Sequence, residues 1–254
     1  MKRNNSRAGF SLVELAIVLV IIGLIVGGVL KGQDLIRSAR VNSVQTDLNK
    51  IRAATGTFQD KYVALPGDFV QAEMLRGSWS NGSGNNGGNG NGRIGHIDEP
   101  DWAQGDSQAN GENFKFWAHL AQAGMLNVVD PEATMNGLKG SVQSRSMQAS
   151  PGGYYKINYS DPTDGSFSNS GYDVEASAGH WILLSNTTGP NADGQGVFAP
   201  VNLRSLDLKA DDGVPTSGDI VAQDSNGSNV CVDEDDPEAY KATDTVACSA
   251  FFAM

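Results

Sequence analysis

The sequence is poor in histidine, cysteine and positive charge, and it has no proline before Pro66. Each shortage closes off a class of functions. The three histidines, His96, His119 and His180, are dispersed and show no metal-ligand spacing. There is no HExxH pair, no phosphate-cradling glycine loop and no Gly-x-Ser-x-Gly elbow, so no enzyme signature emerges. Lys and Arg number 18 against 29 Asp and Glu, for a net charge of −11. That balance argues against binding nucleic acid through its phosphates. The missing prolines matter locally: nothing from Phe10 to Ala64 has to break a helix.

What is present is concentrated at the front. Phe10 to Leu30 is a run of 21 residues in which only Ser11 and Glu14 are clearly polar. A membrane-spanning helix needs about 20 such residues. Lys2, Arg3 and Arg7 precede the run with no acidic residue among them, which holds the N-terminus in the cytoplasm. The run is longer than the apolar region of a secretory signal. No Ala-x-Ala site follows it at Lys31-Gly32-Gln33-Asp34. Either the segment is an uncleaved anchor, or cleavage falls before it. Glu14 is the residue an anchor has no use for. A carboxylate in lipid costs at least a few kcal/mol unless it is neutralised or paired, so it marks a functional site by default. The plainer alternative is that Glu14 lies at headgroup level and touches water.

Gly9-Phe10-Ser11-Leu12-Val13-Glu14, placed between basic residues and an apolar span, resembles the processing site of type IV pilins and the related pseudopilins. The resemblance is close from Gly9 to Pro66. It implies cleavage by prepilin peptidase between Gly9 and Phe10 and N-methylation of Phe10. It also implies an assembly role for Glu14, whose carboxylate would pair with the new amine of a neighbouring subunit. Such a pair relieves two charges that lipid tolerates badly, and it sets axial register more than it adds net stability. The implied partners are the peptidase, an inner-membrane assembly platform, and other copies of this chain and related pilins in a helical filament. The implied route runs from a single-pass inner-membrane precursor to an extracellular pilus or a periplasmic pseudopilus. Many members of the family carry a proline just past the apolar run. Here Lys31 stands in that place, and Gly23, Gly27, Gly28 and Gly32 leave local unwinding open.

The helix is expected to continue beyond the membrane. Val41, Val44, Leu48, Ile51, Thr55, Phe58 and Tyr62 recur at spacings of three and four, one buried stripe of an amphipathic helix. Asn42, Gln45, Asp47, Asn49, Lys50, Arg52, Gln59 and Asp60 fill the solvated positions. Leu65-Pro66-Gly67-Asp68 is the stop. The sequence therefore divides into a leader at 1–9, an assembly segment at 10–30, an amphipathic segment at 31–64 and a head at 65–254. Removing the leader leaves 15 basic residues against 29 acidic ones, a mature net charge of −14. The 31 glycines, with many Asn and Ser, point to short strands and long loops rather than a helical bundle. The expected fold class is α+β: a long N-terminal helix packed on an antiparallel sheet.

Within the head, 81–92 is a Gly/Asn-rich stretch that reads as a flexible surface loop. A sharper reading is a calcium loop. Setting Gly92 at the sixth position of an EF-hand-type frame puts Asn89 and Asn91 at positions three and five and Asp98 at twelve. Position one is then Gly87, where a carboxylate is wanted. Glu112 to Met125 reads as a helix ended by Gly124, with His119 on its partly exposed side. Tyr154–Tyr159, His180–Ser185 and Gly196–Val201 read as strands, and Leu206–Gly218 as an acidic turn leading to a strand at Asp219–Ala222. Asp207, Asp211 and Asp212 offer a second chelating group, with a solvated turn as the plainer reading. The aromatic clusters Phe114, Phe116, Trp117 and Tyr154, Tyr155, Tyr159 read as core. Segments 64–68, 116–120 and 206–218 are similar to parts of a larger pilin-like subgroup.

Cys231 and Cys248, in an exported chain, are expected to pair around an acidic loop, with two free thiols as the alternative. A C-terminal disulfide loop is also common in the family the N-terminus resembles. Three functions remain open from sequence: a pilin, a pseudopilin of a type II secretion machine, and an uncleaved membrane-anchored binding protein.

Overall fold

The computed structural model describes residues 12–71, 87–95, 112–127, 146–149, 152–160, 177–186, 196–224 and 230–254. The chain falls into two compact units, Met1–Arg40 and Val41–Met254. Helix α1, Leu12–Tyr62, runs through 51 residues without interruption, as the absence of proline allows.

The first unit holds the N-terminal part of α1. Sixteen large apolar side chains between Leu12 and Ile36 are each at least half exposed. They lie on all sides of the helix, the pattern of a segment meant for lipid or for other helices. This is the only helix among the described residues that is long and apolar enough to cross a membrane.

The second unit is an α+β head. The C-terminal part of α1 buries Val41, Val44, Leu48, Ile51, Thr55 and Phe58 of the predicted stripe, with Ala54 beside them, while Tyr62 is half-buried. Asp47 departs from the expectation of a solvated position. It is buried, it pairs with Lys50 at 3.0 Å, and the Tyr155 hydroxyl approaches it at 3.4 Å. Its neighbour on the sheet, rather than its place on the helix, decides its environment.

Helix α2 spans Glu112–Gln122. Four strands follow in part: β1, Tyr154–Ser160; β2, Gly179–Ser185; β3, Ile220–Asp224; and β4, Cys248–Ala253. They form one antiparallel sheet in the order β1-β2-β4-β3. Ile157 pairs with Ile182, Ile182 with Phe252, and Phe252 with Ile220, so one row of side chains crosses all four strands. That row belongs to the core shared with Ile51, Phe58, Phe116, Trp117 and Leu120. Phe116, Trp117 and Tyr155 are buried as expected, Tyr154 and Tyr159 are half-buried, and the Phe114 side chain lies outside the description.

Two expectations are overturned. The predicted strand at Gly196–Val201 is only an isolated bridge between Phe198 and Cys248. Pro200 then opens helix α3, Pro200–Ala210, which takes up the first part of the predicted acidic turn. Proline at the first helical position has no amide to lose, and Leu203, Leu206 and Asp207 make the buried face. The predicted strand at Asp219–Ala222 is β3.

Candidate functional site

Of the residues expected to carry processing and assembly, Gly9 and Phe10 lie outside the described residues. Glu14 lies in the first turn of α1, where a carboxylate is favoured by the helix dipole. It is exposed, and its neighbours Leu12, Val13 and Leu15 are 86%, 64% and 52% exposed. One acidic side chain thus stands at the head of a helix whose next turns offer only apolar surface. A Cβ built on Gly23, Gly27, Gly28 or Gly32 meets nothing within 4 Å, so no contact among the described residues demands glycine there.

The cysteines do pair. Cys231 and Cys248 form a disulfide with Cα atoms 5.2 Å apart, and both are fully buried. Cys248 opens β4. Cys231 is held by its N–H and that of Val230, both donated to the Asp224 carboxylate at the end of β3. Inside the loop, Val232 bridges Tyr240, and the Tyr240 hydroxyl donates to Asp207 Oδ2 at 2.6 Å.

Asp207, Asp211 and Asp212 each place one carboxylate oxygen within 4.8 Å of the others. All three also serve the turn between α3 and β3. Asp207 Oδ1 accepts Gly213 N–H, and Asp211 Oδ2 accepts the N–H groups of Asp219 and Ile220. Asp212 accepts Val214 N–H and the Ser217 hydroxyl. Burial pushes the Asp207 carboxyl up to about 6, against the pull of its bonds from Tyr240 and Gly213. Its two bonds hold the Asp212 carboxyl below the usual range.

Residues 81–86 of the Gly/Asn-rich stretch lie outside the described residues; from Gly87 on it forms a cradle over 87–95. Asn89 Oδ1 accepts Asn91 N–H at 2.9 Å, and Asn91 Oδ1 accepts Arg93 N–H at 2.8 Å. Asp98 lies outside the described residues. Two carboxylates that the sequence reading did not mark converge on this loop. Asp68 accepts the N–H groups of Gly90, Asn91 and Gly92 at 2.6, 3.1 and 2.7 Å. Glu112, at the head of α2, accepts Asn89 N–H through Oε1 at 2.7 Å. Backbone packs on backbone here: a Cβ on Gly88 would fall 2.3 Å from Asp68 Cα, and one on Gly67 2.5 Å from the Glu112 carbonyl oxygen. Asp68 was legible only as part of the helix-ending Leu65-Pro66-Gly67-Asp68, and Glu112 only as a helix start.

His119 is a correction: it is fully buried, not partly exposed. Its Nδ1 accepts Gly67 N–H at 2.9 Å, and its ring packs on Phe58 and Phe69. His180 Nε2 accepts Ile94 N–H at 3.1 Å, and burial lowers its pKa to about 4. His96 lies outside the described residues. The histidines in view therefore serve as acceptors that fix loops.

Comparison with known proteins locates the informative segment at the same place as the charge pattern. Residues 4–30 match the prokaryotic N-terminal methylation motif. No curated protein and no solved structure matches the chain. The motif is the signature of type IV pilin and pseudopilin substrates of prepilin peptidase, and it marks a family of structural subunits.

Proposed function

We propose that this chain is a structural, non-catalytic subunit of a type IV pilus-like filament. Prepilin peptidase cuts it between Gly9 and Phe10 and methylates Phe10, and the mature chain enters the filament from the inner membrane. The observation that carries this reading is the methylation motif at residues 4–30, running directly into an uninterrupted apolar helix. Glu14 supplies the carboxylate that pairs with the amine of Phe10 on a neighbouring subunit. The open positions at Gly23, Gly27, Gly28 and Gly32 support helix-on-helix packing, because small residues let backbones approach closely. The apolar helix and the motif fit an inner-membrane precursor with a cytoplasmic N-terminus.

The second reading is a pseudopilin of a type II secretion system, which shares the motif, the helix and the processing. Shearing separates the two. Cells are sheared and the released fraction is analysed by mass spectrometry. A pilin is released as filaments containing this chain, whereas a pseudopilin at normal expression stays with the cells. The same spectra read the first residue. N-methylated Phe10 supports the filament reading, and an intact Met1 in the assembled pool sinks it in favour of an uncleaved anchored binding protein.

A further inference from the structure

The cradle at 87–95 has a feature that its own hydrogen bonds leave unexplained. Glu112 is 8% exposed, and its Oε2 is buried with no hydrogen-bond partner. Its other oxygen lies on the loop, bonded to Asn89 N–H. A buried carboxylate oxygen without a partner is costly and rare. A bound cation would supply the missing partner.

The surrounding groups suit an oxygen-seeking cation. Asp68, 4% exposed, brings a second carboxylate to the same four-residue stretch, Asn89–Gly92. Asn89 and Asn91 add neutral side-chain oxygens at alternate positions, the spacing a calcium loop uses. The frame read from sequence lacked a carboxylate at position one, where Gly87 stands, and a glutamate at position twelve. Asp68 and Glu112 supply both kinds of ligand from outside the loop, one from the turn after α1 and one from the start of α2. An open groove of about 590 Å³ reaches Asp68, Gly90 and Gly92 from solvent, beside Tyr62 and Phe69.

We propose that Asp68, Glu112, Asn89 and Asn91 form a calcium site that ties the end of α1, the 87–95 loop and the start of α2 together. Among the described residues, the charged and titratable neighbours are few. Lys115 Nζ donates to Gly87 O, on the same helix face as Glu112. The Arg93 guanidinium lies over the Tyr159 ring, 4.7 Å from its centroid. His180 is held neutral by burial and faces Ile94. Two carboxylates beside one lysine make a modest site, with a dissociation constant on the order of 10⁻⁴ to 10⁻³ M, the range of extracellular calcium modules. Magnesium, which demands tight octahedral geometry, is expected to bind more weakly. The site does not depend on which kind of filament the chain enters.

The test is equilibrium dialysis of calcium chloride against the full chain in detergent after EDTA treatment. One calcium per chain is expected. Glu112→Gln should weaken binding at least tenfold while keeping or raising the thermal midpoint in EDTA, since it removes an unpartnered charge. Asn91→Ala, on an exposed loop residue, should weaken it several-fold with the fold intact by circular dichroism. Asp211→Asn with Asp212→Asn should leave binding unchanged. No binding up to about 10 mM calcium would overturn the proposal, as would full binding in Glu112→Gln or loss confined to the Asp211/Asp212 variant.

Discussion

The hydroxyl of Tyr240 donates to Asp207 Oδ2 at 2.6 Å, with both residues buried. Asp207 belongs to α3 and Tyr240 to the disulfide loop, so this bond fastens the loop to the helix beneath it. The other bond to the carboxylate comes from Gly213 N–H.

Removing the donor should therefore cost more than an average hydrogen bond. Tyr240→Phe strips a buried carboxylate of one of its two partners, for an expected loss of about 1–3 kcal/mol. Thermal unfolding of the full chain in detergent measures it. A midpoint equal to wild type would mean that solvent already serves Asp207.

The disulfide closes a loop with a sequence separation of 17. In the chain-entropy argument, opening such a loop costs about 3 kcal/mol. Cys231→Ser with Cys248→Ser should lower the thermal midpoint, and the loss should combine with Tyr240→Phe less than additively. Once the loop is free, Tyr240 is no longer held over Asp207, so the two changes share one interaction.

Acid should loosen the head through His180. Its folded pKa, about 4, lies below its ordinary value of 6.5. The neutral ring accepts Ile94 N–H, and a protonated Nε2 cannot. The stability it contributes is present above pH 6.5 and is lost as pH falls toward 4, by up to about 3 kcal/mol. Asp207 runs the other way. Its carboxyl is raised to about 6, so its contribution is present below its ordinary value and lost as pH rises through 6. His180→Asn should flatten the acid-side loss, and Asp207→Asn should flatten the loss between about pH 4 and pH 6. Stability measured from pH 4 to 8 on each variant separates them.

Glu14→Ala should leave membrane insertion intact, because it makes the apolar run more apolar. Filament yield should fall at least tenfold by shearing and immunoblot, with precursor cleavage preserved. Gly27→Leu should do the same through bulk rather than charge, since among the described residues nothing opposes the new side chain. Normal filament yield in both variants would contradict assembly through this helix.

The sequence made α1 legible because its signals are local. The apolar run, the missing prolines and the 3–4 spacing from Val41 to Phe58 all act within a few turns. β1 and β2 were legible for the same reason. α3 was not, because Val197, Phe198 and Val201 are strand-favouring residues that follow a turn-rich stretch, while the Pro200 start and the Leu203–Leu206 spacing point to a helix. β4 went unread: Cys248-Ser249-Ala250-Phe251-Phe252-Ala253 is covered on both faces and shows no alternation. The convergence of Asp68 and Glu112 on Asn89–Gly92 was out of reach for a different reason. It depends on segments 20 or more residues apart, and only the fold brings them together.

The place of β4 in the sheet imposes an order on the chain's biogenesis. It lies between β2 and β3, yet it comes after both in sequence. On the proposed inner-membrane route, until residue 253 has crossed the membrane the β1–β2 pair has an open edge and β3 has no strand to join. Cys248 arrives with β4, so the covalent clasp cannot close early either. The head should therefore stay unassembled through nearly the whole of translocation and set in one late step. During that interval the unpaired edge of β2 is the surface most in need of shielding from other chains.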